Sequence, residues 1–327
     1  TDKAKVDELA HALTTAVDGN LTVISHLKMW EVAQGNLTIE KFLAQFGHRA
    51  TNEFELAEPR WHEDPSYIKQ IIASFQMNPE TNPVYRIQMQ EENQLQAEED
   101  LNRLSTTRQK QIRRNLDLTR RYMPFREKSK FYLMLGYELI RKALLELDRR
   151  HDLGGGVFYL MIDELEEPFD RDGAMQKISA RQAERSKILR IELPDVIYSD
   201  TLNQIGDPIP VEVQNEMKGT GISAGVAHGI AQILTDPTEA SIDQKNYVLV
   251  CPSTDPGWTP LFLRASALIM ERGGVLSHGA IVAREYGIPA VACIPMATKR
   301  IKPGQMVRVD GTYGIVSILN SNLEKTG

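Results

Sequence analysis

The stretch GGVLSHGAIVAREYG, residues 273–287, sets a histidine between a glycine pair and a run of small apolar residues at helical spacing. His278 in that setting admits three chemistries: an ordinary polar cap, a metal ligand, or a nucleophile whose anionic product is held by a helix end. If a helix begins at about Gly279, its first-turn amides point back towards His278, and the positive end of the helix dipole lies beside the imidazole. Gly273, Gly274 and Gly279 remove side chains and admit a bulky partner, while Ser277 offers a hydroxyl as donor. A helix N-terminus also keeps the imidazole neutral, which makes it a competent nucleophile. A metal needs clustered ligands, and the only local carboxylate is Glu285, two turns along, so the spacing argues against zinc. The pattern suits a phosphohistidine, with the plain helix cap as the alternative.

The elements that must position this histidine fall into two rhythms. Up to about residue 150 the apolar residues recur at helical spacing, as in VDELAHALTTAV, TIEKFLAQFG, SYIKQIIASF and the long segment from Asn82 to Arg150. Asp64 and Pro65 read as a helix start, QMNPETNP as a break, and RQAERSKILRIEL as another helix. From about Gly219 the chain changes to short strands and glycine turns. GTGISAGVAHGIAQIL reads as a strand pair, KNYVLVCP, ALIMERGG and IPAVACI as strands, and QMVRVDGTYGIVSIL as a hairpin turning at Asp310-Gly311. The expected architecture is therefore multidomain: a mainly helical domain over 1–215, then a compact α/β domain over 216–327.

A chain of 327 residues suits about two domains. Hydrophobic residues at 42% and charged residues at 25% match a soluble globular protein, and no apolar run approaches the roughly 20 residues that span a bilayer. Neither a membrane role nor a signal peptide is expected. The net charge of −6 argues against a nucleic-acid partner, although RQKQIRRNLDLTRRYMPFREKSK is locally basic and reads as a solvated helix face or an anion-binding segment. Cys251 and Cys293 lie in apolar runs and read as buried reduced thiols, which points to the cytoplasm. The absence of an initiator Met suggests a processed chain or a piece of a larger protein.

GGVLSHGAIVAREYGIPAV resembles the phosphohistidine signature of the PEP-utilising enzyme family, whose swivelling domain carries phosphate from one site to another. STDPGWTPLF, GTGISAGVAHGIAQIL and ATKRIKPGQMVRVDGTYGIVSIL agree with it, so the resemblance covers about residues 218–320. It implies that His278 is the phosphocarrier, with Ser277, Gly279 and Arg284 contacting the phosphate. The layout is close to rifampin phosphotransferase-like and phosphoenolpyruvate synthase-like proteins. No pyruvate-binding barrel follows GIVSIL, and residues 42–65 and 121–147 resemble the helical acceptor segments of the rifampin group.

Within those segments Arg126 and Lys130 are four apart and share a helix face, able to hold a transferring phosphoryl group. Glu53 and His48 lie in the loop-like GHRATNEFEL, where either could take the proton of an attacking hydroxyl. Exposed charge or buried ion pairing is the alternative for each. The chain shows no GxxxxGK[ST] loop. ATP and Mg²⁺ are therefore expected mainly outside it, on an ATP-grasp-type domain of the same polypeptide or a separate subunit. The expectation is a dikinase-like phosphotransferase acting through His278 on a small-molecule acceptor. The alternatives are an ATP-dependent ligase that condenses a phosphorylated intermediate, and a non-catalytic interaction module.

Overall fold

The computed structural model describes residues 3–15, 17, 19–77, 82–166, 168–191, 199, 202, 215–239 and 246–319. The break expected in QMNPETNP falls largely outside them, as does the polar stretch through Gln214 where the domain boundary is expected. The described residues form two compact units, one of 1–53, 60–132 and 211–327, the other of 54–59 and 133–210. The 1–215 segment thus contributes to both units.

Helices of the first unit are α1 (Lys3–Leu13), α2 (Leu21–Ala33), α3 (Ile39–Phe46), α4 (Ser66–Met77), α5 (Pro83–Asn102) and the first part of α6 (Thr106–His151). Their starts follow from side-chain caps. Asn20 Oδ1 accepts from the Thr22 and Val23 amides at 3.1 and 3.4 Å, and Asn82 precedes Pro83 at the first turn of α5. The long apolar segment from Asn82 is not one helix, because the chain turns at 103–105 and starts again as α6. Met29, Phe42, Phe46, Trp61, Ile68 and Phe75 bury the apolar faces of these helices.

The rest of this unit is an α/β layer built from β1 (Glu216–Lys218), β2 (Thr220–Ser223), β3 (Val226–Ile233), β4 (Tyr247–Cys251), β5 (Ala265–Met270), β6 (Ala290–Ala292), β7 (Met306–Asp310) and β8 (Ile315–Leu319). The sheet order is β1-β8-β7-β3-β4-β5-β6-β2. β3 to β6 run parallel, and the remaining pairings are antiparallel. β4 is buried along its whole length, which explains the unbroken apolar run YVLVC. The expected hairpin is β7–β8. The expected strand pair at 219–234 is two strands that do not pair with each other: β2 joins β6, whereas β3 lies between β4 and β7.

β1 and β2 stand at opposite ends of the sheet order, yet only Gly219 separates them. The sheet therefore closes on itself through the covalent chain. Glycine is required there, because a Cβ would lie 2.3 Å from the Ala292 carbonyl oxygen. Short helices α8 (Thr259–Phe262) and α9 (His278–Glu285) sit in the crossovers after β4 and β5, and α10 (Ala297–Arg300) follows β6. Cys251 is buried as expected, but Cys293 is exposed. It leaves the strand in a left-handed conformation, φ 59°, with its thiol donating to the Gly273 carbonyl at 2.9 Å.

The second unit holds the end of α6 and α7 (Arg171–Ile188), which begins ten residues before the helix expected at 181. Leu153, Val157 and Ile178 form its small core. Asp148 accepts from the Gly155 and Val157 amides at 2.9 and 3.1 Å, fixing the turn that ends α6.

Candidate functional site

The loops that leave the carboxyl ends of two neighbouring parallel strands, β4 and β5, build the centre of the site. After β4, residues 252–258 turn into α8. Asp255 Oδ1 accepts from the Gly257 amide at 2.7 Å, and Thr259 opens the helix. After β5, residues 271–277 lead to α9, which begins with His278. Ser277 is its cap, its Oγ accepting from the Ala280 amide at 3.3 Å.

His278 is 5% exposed and is held by both ring nitrogens. Nε2 lies 2.9 Å from Thr259 Oγ1, and Nδ1 lies 3.3 Å from Glu127 Oε2. Glu127 comes from α6 and is also buried. Its Oε2 accepts from Thr22 Oγ1 of α2 at 3.0 Å, and its Oε1 faces Arg126 Nη1 at 3.1 Å. Burial works to raise the Glu127 pKa, but the His278 hydrogen bond and charge, with Arg126 and Arg49, bring it down to about 2. Burial lowers the His278 pKa, Glu127 opposes this, and the Lys130 and Arg49 charges lower it further. A neutral imidazole beside an ionised carboxylate carries its hydrogen on the nitrogen facing that carboxylate. Nδ1 is therefore the donor, and Nε2 keeps its lone pair, to which the Thr259 hydroxyl donates.

A second carboxylate network lies beside this one. Glu53 Oε1 accepts from Arg49 Nε at 2.6 Å, and Glu53 Oε2 pairs with Lys130 Nζ at 2.8 Å. Glu53 and Arg49 are buried, and Lys130 is mostly so. Burial raises the Glu53 pKa, but the two cations outweigh it and the carboxyl is held below its ordinary value. Arg60 Nη1 donates to the Glu53 carbonyl at 3.0 Å, and Arg49 lies 5.8 Å over the Trp61 ring, so the 47–53 loop is tied to its surroundings. Asp255 feels the Glu53 network. Burial first, then Glu53, pushes its pKa up to about 7, while the Gly257 amide, Lys130 and Arg49 pull the other way.

Arg126, Lys130 and Glu53 thus belong to one charged neighbourhood with His278. His48 meets the Phe131 ring edge-on, with centroids 4.4 Å apart. Arg284 reaches back along α9, where its Nη2 donates to the Val275 carbonyl at 2.6 Å and holds the loop that leads into His278. Gly279 is required by packing, since a Cβ there would lie 2.4 Å from Thr254 Oγ1 and 2.8 Å from Met270 Sδ. A cleft of about 610 Å³ opens beside the loop, walled by Thr119, Met123, Ser223, Val275, Leu276 and Arg284.

Glu127, Thr259, Asp255 and Thr22 were not singled out from the sequence, although Glu127 stands between Arg126 and Lys130 and two of the others lie inside STDPGWTPLF. Among the described residues, no group of three or more His, Cys, Asp and Glu is arranged to hold a metal ion. No described helix is long and apolar enough to cross a membrane.

Residues 243–314 match the mobile domain of PEP-utilising enzymes, and residues 34–127 match the rifampicin phosphotransferase fourth domain. Rifampicin phosphotransferase of Bacillus subtilis (strain 168) is 32% identical over 300 residues, covering 86% of this chain and 34% of the relative. The Bacillus cereus enzyme of the same name is 31% identical over 299 residues, with the same coverage of 86% and 34%. The prodigiosin synthesizing transferase PigC of Serratia marcescens is 29% identical over 295 residues, covering 85% and 33%. The chain spans about a third of the length of these relatives.

Proposed function

We propose that this chain, whose residues 243–314 match the mobile domain of PEP-utilising enzymes, is the acceptor-binding and phosphohistidine portion of a dikinase-like phosphotransferase. The helical segments bind a small organic acceptor, and the α/β domain at 216–327 carries the phosphoryl group. The observation that carries this reading is that His278 is held by Glu127 at Nδ1, 3.3 Å, and by Thr259 at Nε2, 2.9 Å, a pairing that leaves the lone pair on Nε2 when Nδ1 carries the hydrogen.

In the first half-reaction Nε2 attacks a phosphoryl group derived from ATP, which is bound mainly outside this chain on an ATP-grasp-type domain. An N–P bond to the β-phosphorus forms as the α–β P–O bond breaks and AMP leaves; water then cleaves the β–γ P–O bond, releasing phosphate and leaving one phosphoryl group on Nε2, while Glu127 keeps the Nδ1 proton in place. A buried His278 must become accessible for this step, which fits a domain that moves. In the second half-reaction a hydroxyl oxygen of the acceptor attacks the phosphorus. The N–P bond breaks, its electron pair returns to Nε2, and the hydroxyl proton passes to a carboxylate. Glu53 is occupied by two cations. Asp255, with its pKa near 7 and four residues from the Thr259 that touches Nε2, is the better matched base. Arg126 and Lys130 offset the charge of the transferring group. The balance is ATP, acceptor and water to phosphorylated acceptor, AMP and phosphate.

The second reading is an ATP-dependent ligase, in which the phosphorylated acceptor is the activated partner of a condensation. The complete polypeptide, or this chain with its charging domain, incubated with ATP labelled at the β-phosphate, should carry acid-labile label on His278, and His278→Ala should carry none. Label that persists in the alanine variant, or no label in an ATP-hydrolysing preparation, refutes the phosphocarrier assignment. A metabolite screen for discharge of the label then separates plain phosphorylation from condensation.

A further inference from the structure

One helix, α2, makes polar contacts near both ends of α9. At the start of α9, Thr22 of α2 donates to Glu127, which holds His278. At the other end Tyr286 caps α9, and its hydroxyl lies 2.7 Å from Nδ1 of His26. The two rings stack with centroids 6.0 Å apart and 11° between their planes. Both are almost fully buried, at 1% and 2% exposure. Thr22 and His26 are four residues apart and so share one face of α2. Arg86 of α5 adds a donor to the Tyr286 carbonyl at 3.5 Å and another to the Leu263 carbonyl at 3.0 Å.

His26 has no part in the proton or phosphoryl steps above, and among the described residues its Nε2 has no hydrogen-bond partner. Burial first, then the charges of His278 and Arg49, holds its pKa at about 3, so the ring stays neutral across the working pH range. A buried histidine of this kind is costly unless its one polar contact specifies something. What it specifies here is where the far end of α9 lies. The helix rises about 12 Å over the eight steps from His278 to Tyr286, and fixing both ends removes its freedom to roll.

We propose that His26 and Tyr286 are a positioning pair, the docking contact that sets the rotation of α9 so that His278 meets Glu127 and Thr259, and that parts when the histidine domain leaves to be charged. The second clause rests on the phosphocarrier reading, whereas the docking contact belongs to the uncharged protein and is tested there. In the full chain without ATP, His278 of Tyr286→Phe should react with diethyl pyrocarbonate about two- to tenfold faster than wild type, the span expected for loss of one neutral hydrogen bond. The rate is read on the His278 peptide by mass spectrometry. His26→Leu should do the same, and the double variant should add nothing further, because the two residues act through one contact. In the complete enzyme Tyr286→Phe should slow discharge to acceptor and leave charging unslowed, a split that a general loss of stability would not produce. A wild-type modification rate in Tyr286→Phe overturns the proposal, as does a double variant whose effect is the product of the two singles. If His26→Leu does not fold, Tyr286→Phe alone decides. Absence of label on His278 in every variant refutes the carrier reading, and the modification rates still decide the docking pair.

Discussion

Glu53 and Glu127 are both carboxylates with almost no solvent exposure, and both are ionised, yet their surroundings give them different work. Glu53 has two full cations, one on each oxygen. Its charge is neutralised twice over, and its lone pairs are directed at groups that do not change state. Glu127 has one half-exposed arginine on one oxygen and shares the other between a hydroxyl and a neutral imidazole. Its charge is less completely balanced, so it remains available to orient a ring that reacts. A buried carboxylate saturated by cations holds a loop, and one left partly unbalanced beside a nucleophile fixes a tautomer.

The comparison breaks most severely at Glu53. Glu53→Gln leaves Arg49 and Lys130 as cations without their counter-charge, and a loss of about 3–5 kcal/mol is expected in denaturant unfolding. An unfolding midpoint within experimental error of wild type would mean that the network is not a structural element. Glu127→Gln should invert the pattern. The amide is isosteric, and the Arg126 side chain is 46% exposed and can turn to water, so stability should fall by only about 1 kcal/mol. Charging and discharge of His278 should slow roughly 100-fold, because the amide can donate to Nδ1 and favour the wrong tautomer. Rapid-quench labelling measures this, and unchanged rates would sever the link between Glu127 and the imidazole. Thr259→Val removes the donor to Nε2 and should change the lifetime of the labelled histidine by about tenfold, an effect seen in acid-lability assays.

The smallest effects are pH slopes of opposite sign. Glu127 is held down to about 2, so its contribution to stability is complete above the ordinary carboxylate range and is lost as pH falls towards 2. Asp255 is pushed up to about 7, so the folded protein holds a proton that the unfolded chain has already released. Stability through Asp255 therefore declines as pH rises from about 4 to 7. Unfolding curves across that window should flatten in Asp255→Asn, and an unchanged slope would show that another group is responsible.

Much of the site was legible from local sequence. His278 sits at a helix start because Ser277 is a good cap, and the strands and hairpin of the α/β layer follow alternation and glycine turns that the sequence carries openly. The Arg126–Lys130 helix face is likewise local. What escaped local reading is contact at long range. Glu127 meets His278 across 151 residues of chain, and His26 meets Tyr286 across 260. Nothing in the basic run around Glu127 marks it as the residue that faces inward, since helical spacing gives faces but not their partners. The failure at 219–234 has the same cause: two strands joined by a short turn normally pair, but the parallel β4 takes the place beside β3. Arg284 is expected at the phosphate by resemblance alone, and in the structure its Nη2 donates to the Val275 carbonyl in the loop that leads into His278.

The closure of the sheet at Gly219 bears on how safely the histidine domain can exist apart from the helices. Its terminal strands are only three and four residues long and run into each other. Among the described residues no full-length strand edge is offered to another chain, so the sheet presents no long template for intermolecular strand pairing. A bulkier residue at 219 would force the two ends of the sheet apart. The first consequence would be seen in solubility, as aggregation of an otherwise folded protein.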